Sequence, residues 1–458
     1  MSWWQKKFES WKQDRILRLV LKNTGYMFSG TGLSLILSMA VSIIVAQQLE
    51  VFTLGLVGII TTYASTVNRL FSFRMNEIVV KYMGSALSEG NQEKAGALVK
   101  VSMLIEGGTS ILAFLCLLLF SPLVAHYMAK DDGTVILFCV YGISVLGNLI
   151  AETSTGILQV INRFREQATI NAVQSVITTV IILSALFFKD QPALALWIIL
   201  LAYLVGKMIL GIAPAVIALR SLGGILGNDW WKTSFKSLPP VRELVRFAVS
   251  TNFSATLNMI FRDSELLWIS FFLSPIEAGY YKVALAIINL ISIPVTPFIS
   301  TTYPLITKHA AERQWKKLRS LLWRITLVSC AIVGSTTLVL ALFGPFVLYF
   351  YGNGLKYVPA FPVLLVLLAG YGIANMFFWN RPLLLALDHP EFPFRIGLYT
   401  GIVKVLASFW VIPVFGVVGA AALLTGYLGI SVLMMVFIGI LICTRREKRH
   451  SEPEMAKP

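Results

Sequence analysis

The stretch VGAAALLTGYLGISVLMMVFIGILI, residues 418–442, runs for 25 residues without one charged side chain and is followed at once by Arg445, Arg446, Lys448 and Arg449. A helix needs about 20 apolar residues to cross a hydrocarbon layer roughly 30 Å thick. A barrel strand would be shorter and would alternate apolar with polar positions, which this run does not do. The segment therefore reads as a membrane-spanning helix, and the basic cluster marks its cytoplasmic end.

Working outward, runs of the same kind recur at 24–46, 52–78, 100–120, 134–158, 168–188, 193–217, 247–272, 279–303, 321–343, 358–380 and 394–414. The composition agrees: 57% of the 458 residues are hydrophobic, 13% are charged, and the mean hydropathy is +0.76. A soluble domain carries about twice that share of charge. The fold class is thus all-α and polytopic, with about twelve transmembrane helices. Twenty-three polar-rich residues precede the first run, which is of full span length and reads as a span, not a cleavable signal.

The net charge of +15 invites a nucleic-acid reading, but the basic residues are sorted by side of the membrane. With the N-terminus inside, the outer connections hold only Lys130, Lys189 and Lys356 of the 38 Lys and Arg. This alternation places both termini in the cytoplasm. Segment 1–23, with Trp4, Phe8 and Trp11 interleaved with lysines, reads as an amphipathic helix on the inner leaflet, facing membrane lipid. Segment 219–246, with Trp230, Trp231 and Phe235, reads the same way, and the tail 444–458 as a polar extension. Cys116, Cys139, Cys330 and Cys443 all fall in apolar runs, with no metal spacing and no disulfide framework.

The chain also matches itself weakly. A shift of 224 residues lays Leu49, Gly55 and Leu56 on Leu273, Gly279 and Tyr280, and Lys100 on Arg324. A shift of 226 lays Gly156-Ile157-Leu158 on Pro382-Leu383-Leu384. An even number of helices per repeat gives two parallel six-helix lobes, 24–218 and 247–443, joined by the 219–246 linker. Substrate is then expected in a central cavity between them.

Two stretches, FFLSPIEAGYYKVALAIINLISIPVTPF (271–298) and YPLITKHAAERQWKKLRSLLWR (303–324), resemble the polysaccharide transporter (oligosaccharide flippase) family. That family belongs to the multidrug/oligosaccharidyl-lipid/polysaccharide exporter superfamily. The first half is similar at LEVFTLGLVGI (49–59), VVKYMGSALSEGNQEKAGALVK (79–100) and GILQVINRFREQA (156–168). The resemblance implies two six-helix lobes, alternating access and a bacterial cytoplasmic membrane location. It also implies a cargo of undecaprenyl-pyrophosphate-linked oligosaccharide and contact with other polysaccharide assembly proteins. The first span carries no charged residue, unlike lipid II flippases and many drug exporters of the superfamily.

Charges inside spans are costly and usually face a wet interior, so they are the candidate site residues. In the second span Thr62, Thr66, Arg69, Ser72 and Asn76 recur at three- or four-residue spacing and make one polar stripe. Arg69 lies roughly 25 Å from the outer end by helical rise, and its planar fork suits phosphate oxygens. Arg74 has Glu77 three residues on, an ordinary helix pair. The seventh span holds Arg262, Asp263 and Glu265, with Asn258 one turn earlier. Arg262 and Glu265 share a face and can neutralise each other; Asp263 points about 100° away. Lys207 and Lys404 sit at mid-membrane depth, and Glu106 and Glu152 in the cytoplasmic half of the first lobe.

Arg69, Arg262, Lys207, Lys404, Asn76 and Asn258 are the candidates for pyrophosphate or glycan, and Asp263, Glu265, Glu106 and Glu152 for proton or sodium coupling. Four cations stand against four acids, so charge count alone does not make the interior cationic. Either acid of the first lobe can pair with an arginine instead, and Lys282 near an outer end can snorkel to the surface.

The leading reading is an ion-coupled flippase with no cofactor and no catalytic group. The alternative is a multidrug exporter of the same fold. A membrane-embedded glycan polymerase or ligase is disfavoured, because the outer connections are short, the longest about 13 to 15 residues, and hold His126 as the sole histidine near that face. No P-loop is present.

Overall fold

The computed structural model describes residues 34, 37–188, 191–227, 229–235, 238, 259–389 and 391–451. Among them the regular structure is helical throughout. In chain order the helices are α1 (Leu37–Gln48), α2 (Val51–Phe71), α3 (Gln92–Val124), α4 (Val135–Gly142), α5 (Ala151–Val160), α6 (Phe164–Ser184) and α7 (Pro192–Leu226). They continue as α8 (Glu265–Phe272), α9 (Pro275–Ala311), α10 (Trp315–Gly352), α11 (Phe361–Met376), α12 (Asn380–Ala386) and α13 (Glu391–Ser451). Eight segments of the described residues are long and apolar enough to cross a membrane. The last contains both of the final two expected spans, because Gly416, at φ 63° and ψ −151°, breaks α13 between them. Parts of the first and seventh expected spans, the 1–23 segment and Asn258 lie outside the described residues.

The helix starts follow from local chemistry. Ser274 caps α9, its hydroxyl accepting from the Glu277 N–H at 3.3 Å, and Pro275 fills the first helical position, where no N–H is needed. Asn91 caps α3 by accepting from the Lys94 N–H at 2.9 Å. Just before it, Glu89 accepts from Ser85 Oγ at 2.8 Å and from Lys94 at 3.1 Å. That hydroxyl, then the lysine, holds the Glu89 carboxyl below its usual range.

The helix breaks are less regular than the sequence suggests. The second span is not one helix over 52–78: α2 ends at Phe71, and Arg74 takes a left-handed backbone (φ 50°) before the chain resumes at Met75. The polar stripe is therefore cut at Ser72, and Asn76 belongs to a separate turn. The fourth span breaks between α4 and α5, where Ile150 leaves helical geometry. The outer connection after the third span is shorter than expected, since helical turns continue to Ala129.

Two compact units result. One holds the described residues of Met1–Leu49, Tyr63–His126 and Asp131–Thr256; the other holds those of Glu50–Thr62, Tyr127–Lys130 and Leu257–Pro458. The first is built on a buried cluster of Val79, Met83, Ala95, Val99, Ile157, Leu158, Ala218 and Leu222. The stretch after the second span, charged as it looks, thus supplies core. In the second unit, residues 127–130 are tied in by Ser270 Oγ donating to the Met128 carbonyl at 2.5 Å and Lys130 Nζ to the Phe271 carbonyl at 3.3 Å.

Also within the second unit, the first turns of α2 and α9 touch backbone to backbone. A Cβ on Gly55 would overlap the Pro275 carbonyl, and one on Gly279 would overlap the Val51 carbonyl. These four residues are two pairs related by the 224-residue shift, so each matched glycine faces the other repeat's helix start. Lys282 bonds the Leu54 carbonyl at 3.4 Å here instead of snorkelling outward. Overpacking such a contact costs about 1–3 kcal/mol. Gly55→Leu and Gly279→Leu should each lower the thermal midpoint in detergent, while Gly334→Ala, with open space around it, should not. Equal midpoints for all three would contradict the close approach.

Candidate functional site

In the first unit the break before α5 exposes backbone donors, and an acid fills them. Glu106, on α3, accepts from the Glu152 N–H at 2.7 Å and the Thr153 N–H at 2.9 Å. A carboxylate at a helix N-terminus meets both free N–H groups and the positive end of the helix dipole. Glu106 is 6% exposed, so its charge is met by backbone and not by an arginine.

Glu152 accepts from Ser72 Oγ at 2.8 Å, in the gap where α2 ends. Both acids line one cavity of about 30 Å³ together with Asn68, Thr109, Ser110 and Asn148. That is room for a water or two, with hydroxyl and amide oxygens around it. Thr109 and Ser110 share a face with Glu106, a spacing that could have flagged them; Asn148 lies across the break at Ile150 from Glu152, where helical spacing is no guide.

Arg69 and Lys207 both have exposed side chains. Among the described residues no acid forms an ion pair with Lys207. Arg74 pairs with Glu77 at 2.8 Å, both side chains exposed, as its spacing suggests. Asn76 has its backbone against Gly156, where any added Cβ would be crowded at 3.0 Å, so it acts in packing α5.

In the second unit the pairing differs from the one the spacing suggests. Glu265 does not meet Arg262; it pairs with Lys404, and both side chains are 3% exposed. The cause is a π-turn over Met259–Asp263, which carries an extra residue and turns Arg262 off the Glu265 face. Arg262 and Asp263 are exposed, and the Arg262 guanidinium lies 5.4 Å from the centre of the Tyr371 ring. Tyr371 is more than a hundred residues away in sequence, and no local pattern could reveal it. Asn258 lies outside the described residues. Among the described residues no cluster of three or more His, Cys, Asp or Glu suits a metal ion.

The fold is that of a multi-pass membrane transporter. A multidrug resistance MATE family transporter in an inward-facing conformation superposes with a TM-score of 0.69 at 13% identity, covering 91% of this chain and 96% of that one. The lipid II flippase MurJ, in an inward closed conformation, gives 0.65 at 13% identity, covering 94% and 93%. In sequence the chain is 22% identical over 298 residues to the inner membrane protein YghQ of Escherichia coli K12, covering 64% of this chain and 82% of that protein. Residues 20–310 match the model of the polysaccharide biosynthesis protein family, and the chain belongs to that family.

The Glu106 cap can be checked without any cargo. Glu106→Ala leaves two N–H groups without an acceptor, at a cost of about 1–3 kcal/mol. Its thermal midpoint should fall below that of Glu106→Gln, which keeps one acceptor oxygen. A Glu106→Ala protein that melts with the wild type would rule the cap out.

Proposed function

We propose that the protein moves an undecaprenyl-pyrophosphate-linked oligosaccharide, the repeat unit of a surface polysaccharide, across the bacterial cytoplasmic membrane. Cargo would pass from the inner to the outer leaflet by ion-coupled alternating access, with both termini cytoplasmic. Membrane lipids and other polysaccharide assembly proteins would be its partners, and no bond is made or broken. Membership of a polysaccharide biosynthesis family supports the cargo class.

The observation that carries the reading is that Arg69 and Lys207, two cations at span depth in the first unit, both have exposed side chains. A charge at span depth is costly in lipid and usually faces a wet interior or an anion. A pyrophosphate supplies that anion, with the guanidinium fork binding two oxygens and the ammonium a third. Arg262, exposed and backed by Tyr371, is a further phosphate contact in the second unit.

Glu106 and Glu152 face one water-sized cavity with five neutral oxygen-bearing side chains, a setting suited to a proton or a small cation. Asp263, exposed beside Arg262, is the coupling candidate of the second unit. Glu265, sealed against Lys404, is a poor one.

One observation favours the drug-export alternative. The two limbs of α13 flank a cavity of about 490 Å³ lined mainly by apolar residues, among them Tyr399, Val403, Leu423 and Ile430. Its size lies within the range of about 300–1,000 Å³ usual for small-molecule pockets. Loss of the gene would then raise sensitivity to amphipathic cations and leave surface glycan intact.

The test is complementation of a strain lacking the gene. Arg69→Ala and Lys207→Ala should each cut surface polysaccharide by about tenfold or more at wild-type protein level, the scale of one lost charged contact. Wild-type glycan from both variants would sink the phosphate role. Transport unchanged after collapse of the proton and sodium gradients would remove the coupling role of the acids.

A further inference from the structure

The π-turn Met259–Asp263 does not stand alone; three contacts of Phe261 fasten it to α13. Lys404 Nζ donates to the Phe261 carbonyl and pairs with Glu265, just past the turn. The Phe261 ring lies on Gly401, one helical turn before Lys404, where any Cβ would overlap the ring. Phe261 also meets Tyr427 on the second limb, ring centres 6.3 Å apart. A second carbonyl of the turn, that of Ile260, accepts from Ser264 Oγ at 2.7 Å. The backbone oxygens that a π-turn disturbs are thus satisfied by side chains, as apolar surroundings require.

We propose that Lys404 and Glu265 form a latch that holds this turn, and so act as positioning residues for Arg262 and Asp263 and not as contacts to cargo. A buried ion pair is a weak source of stability, since well-packed apolar residues often replace one without loss. Its worth here is geometric. The ammonium occupies the Phe261 carbonyl and the carboxylate balances the ammonium, which leaves the next two side chains facing outward. Without the carbonyl contact the turn relaxes towards regular helix, and one residue fewer per turn rotates positions 262 and 263 by about 100°. Gly401 is part of the same device, because only glycine lets the Phe261 ring lie close enough for the Lys404 contact. The cargo contact of Arg262 belongs to the function proposed above; the latch does not depend on it.

The experiment reads the turn directly. In full-length protein with Cys116, Cys139, Cys330 and Cys443 changed to Ala, Asp263→Cys is labelled with a water-soluble methanethiosulfonate. The apolar replacement Lys404→Met with Glu265→Leu should preserve folding yet slow labelling by about tenfold or more, as expected of a side chain rotated out of water. Gly401→Ala should slow it in the same direction with the ion pair intact, which keeps the test open if the double variant does not fold. Labelling at the native rate in either folded variant would overturn the latch.

Binding of undecaprenyl pyrophosphate to nanodisc-embedded protein separates the two claims. If Lys404 acts through Arg262, the loss in Arg262→Ala with Lys404→Met equals that of Arg262→Ala alone; losses that multiply would make Lys404 a direct contact and overturn its positioning role. Slowed labelling together with binding that Arg262→Ala leaves unchanged would support the latch and retire the cargo contact of Arg262.

Discussion

An ionised side chain at the depth of a hydrocarbon layer must find its partners within the protein, because lipid offers none. The chain meets this constraint in two ways. Glu106 is closed onto the N-terminus of α5, and Glu265 and Lys404 are closed onto each other and onto the Phe261 carbonyl. Arg69, Lys207, Arg262 and Asp263 have side chains open to the surface. The closed groups hold broken helices in shape: Glu106 at the gap before α5, and Lys404 at the π-turn before α8. The open groups lie near those breaks, on or beside the segments the closed groups fix.

Four cations against four acids in the sequence do not by count alone make the interior cationic. The folded protein is more selective. It places one acid on backbone donors and one acid with one cation in a buried pair, while the side chains of Arg69 and Lys207 are exposed. The 224-residue match has a similar physical reading. Its two glycines are where the helix starts of α2 and α9 touch, so that part of the match reflects a contact and not hydropathy alone.

Much of the fold was legible because run length and charge alternation are coarse, repeated signals. The caps at Asn91 and Ser274-Pro275 were equally local. The breaks were not legible: Ser72 to Arg74 and Leu149-Ile150 contain neither proline nor glycine, and their geometry is fixed by partners far off in sequence. The same limit explains the pairing of Glu265. Spacing on an ideal helix joins it to Arg262, but one extra residue in the turn changes the face, and Lys404 is 139 residues away. Candidate residues could be read as buried charges, while the role of each came from which backbone group it met.

The most direct measurement is flipping in proteoliposomes. Undecaprenyl-pyrophosphate-linked glycan is placed in a sealed bilayer with purified protein, and its arrival on the opposite leaflet is followed by access of an added lectin. The account predicts transfer that depends on the protein and is lost in the Arg69→Ala, Lys207→Ala double variant. Transfer at the wild-type rate by that variant, or none by the native protein with an ion gradient applied, would contradict it.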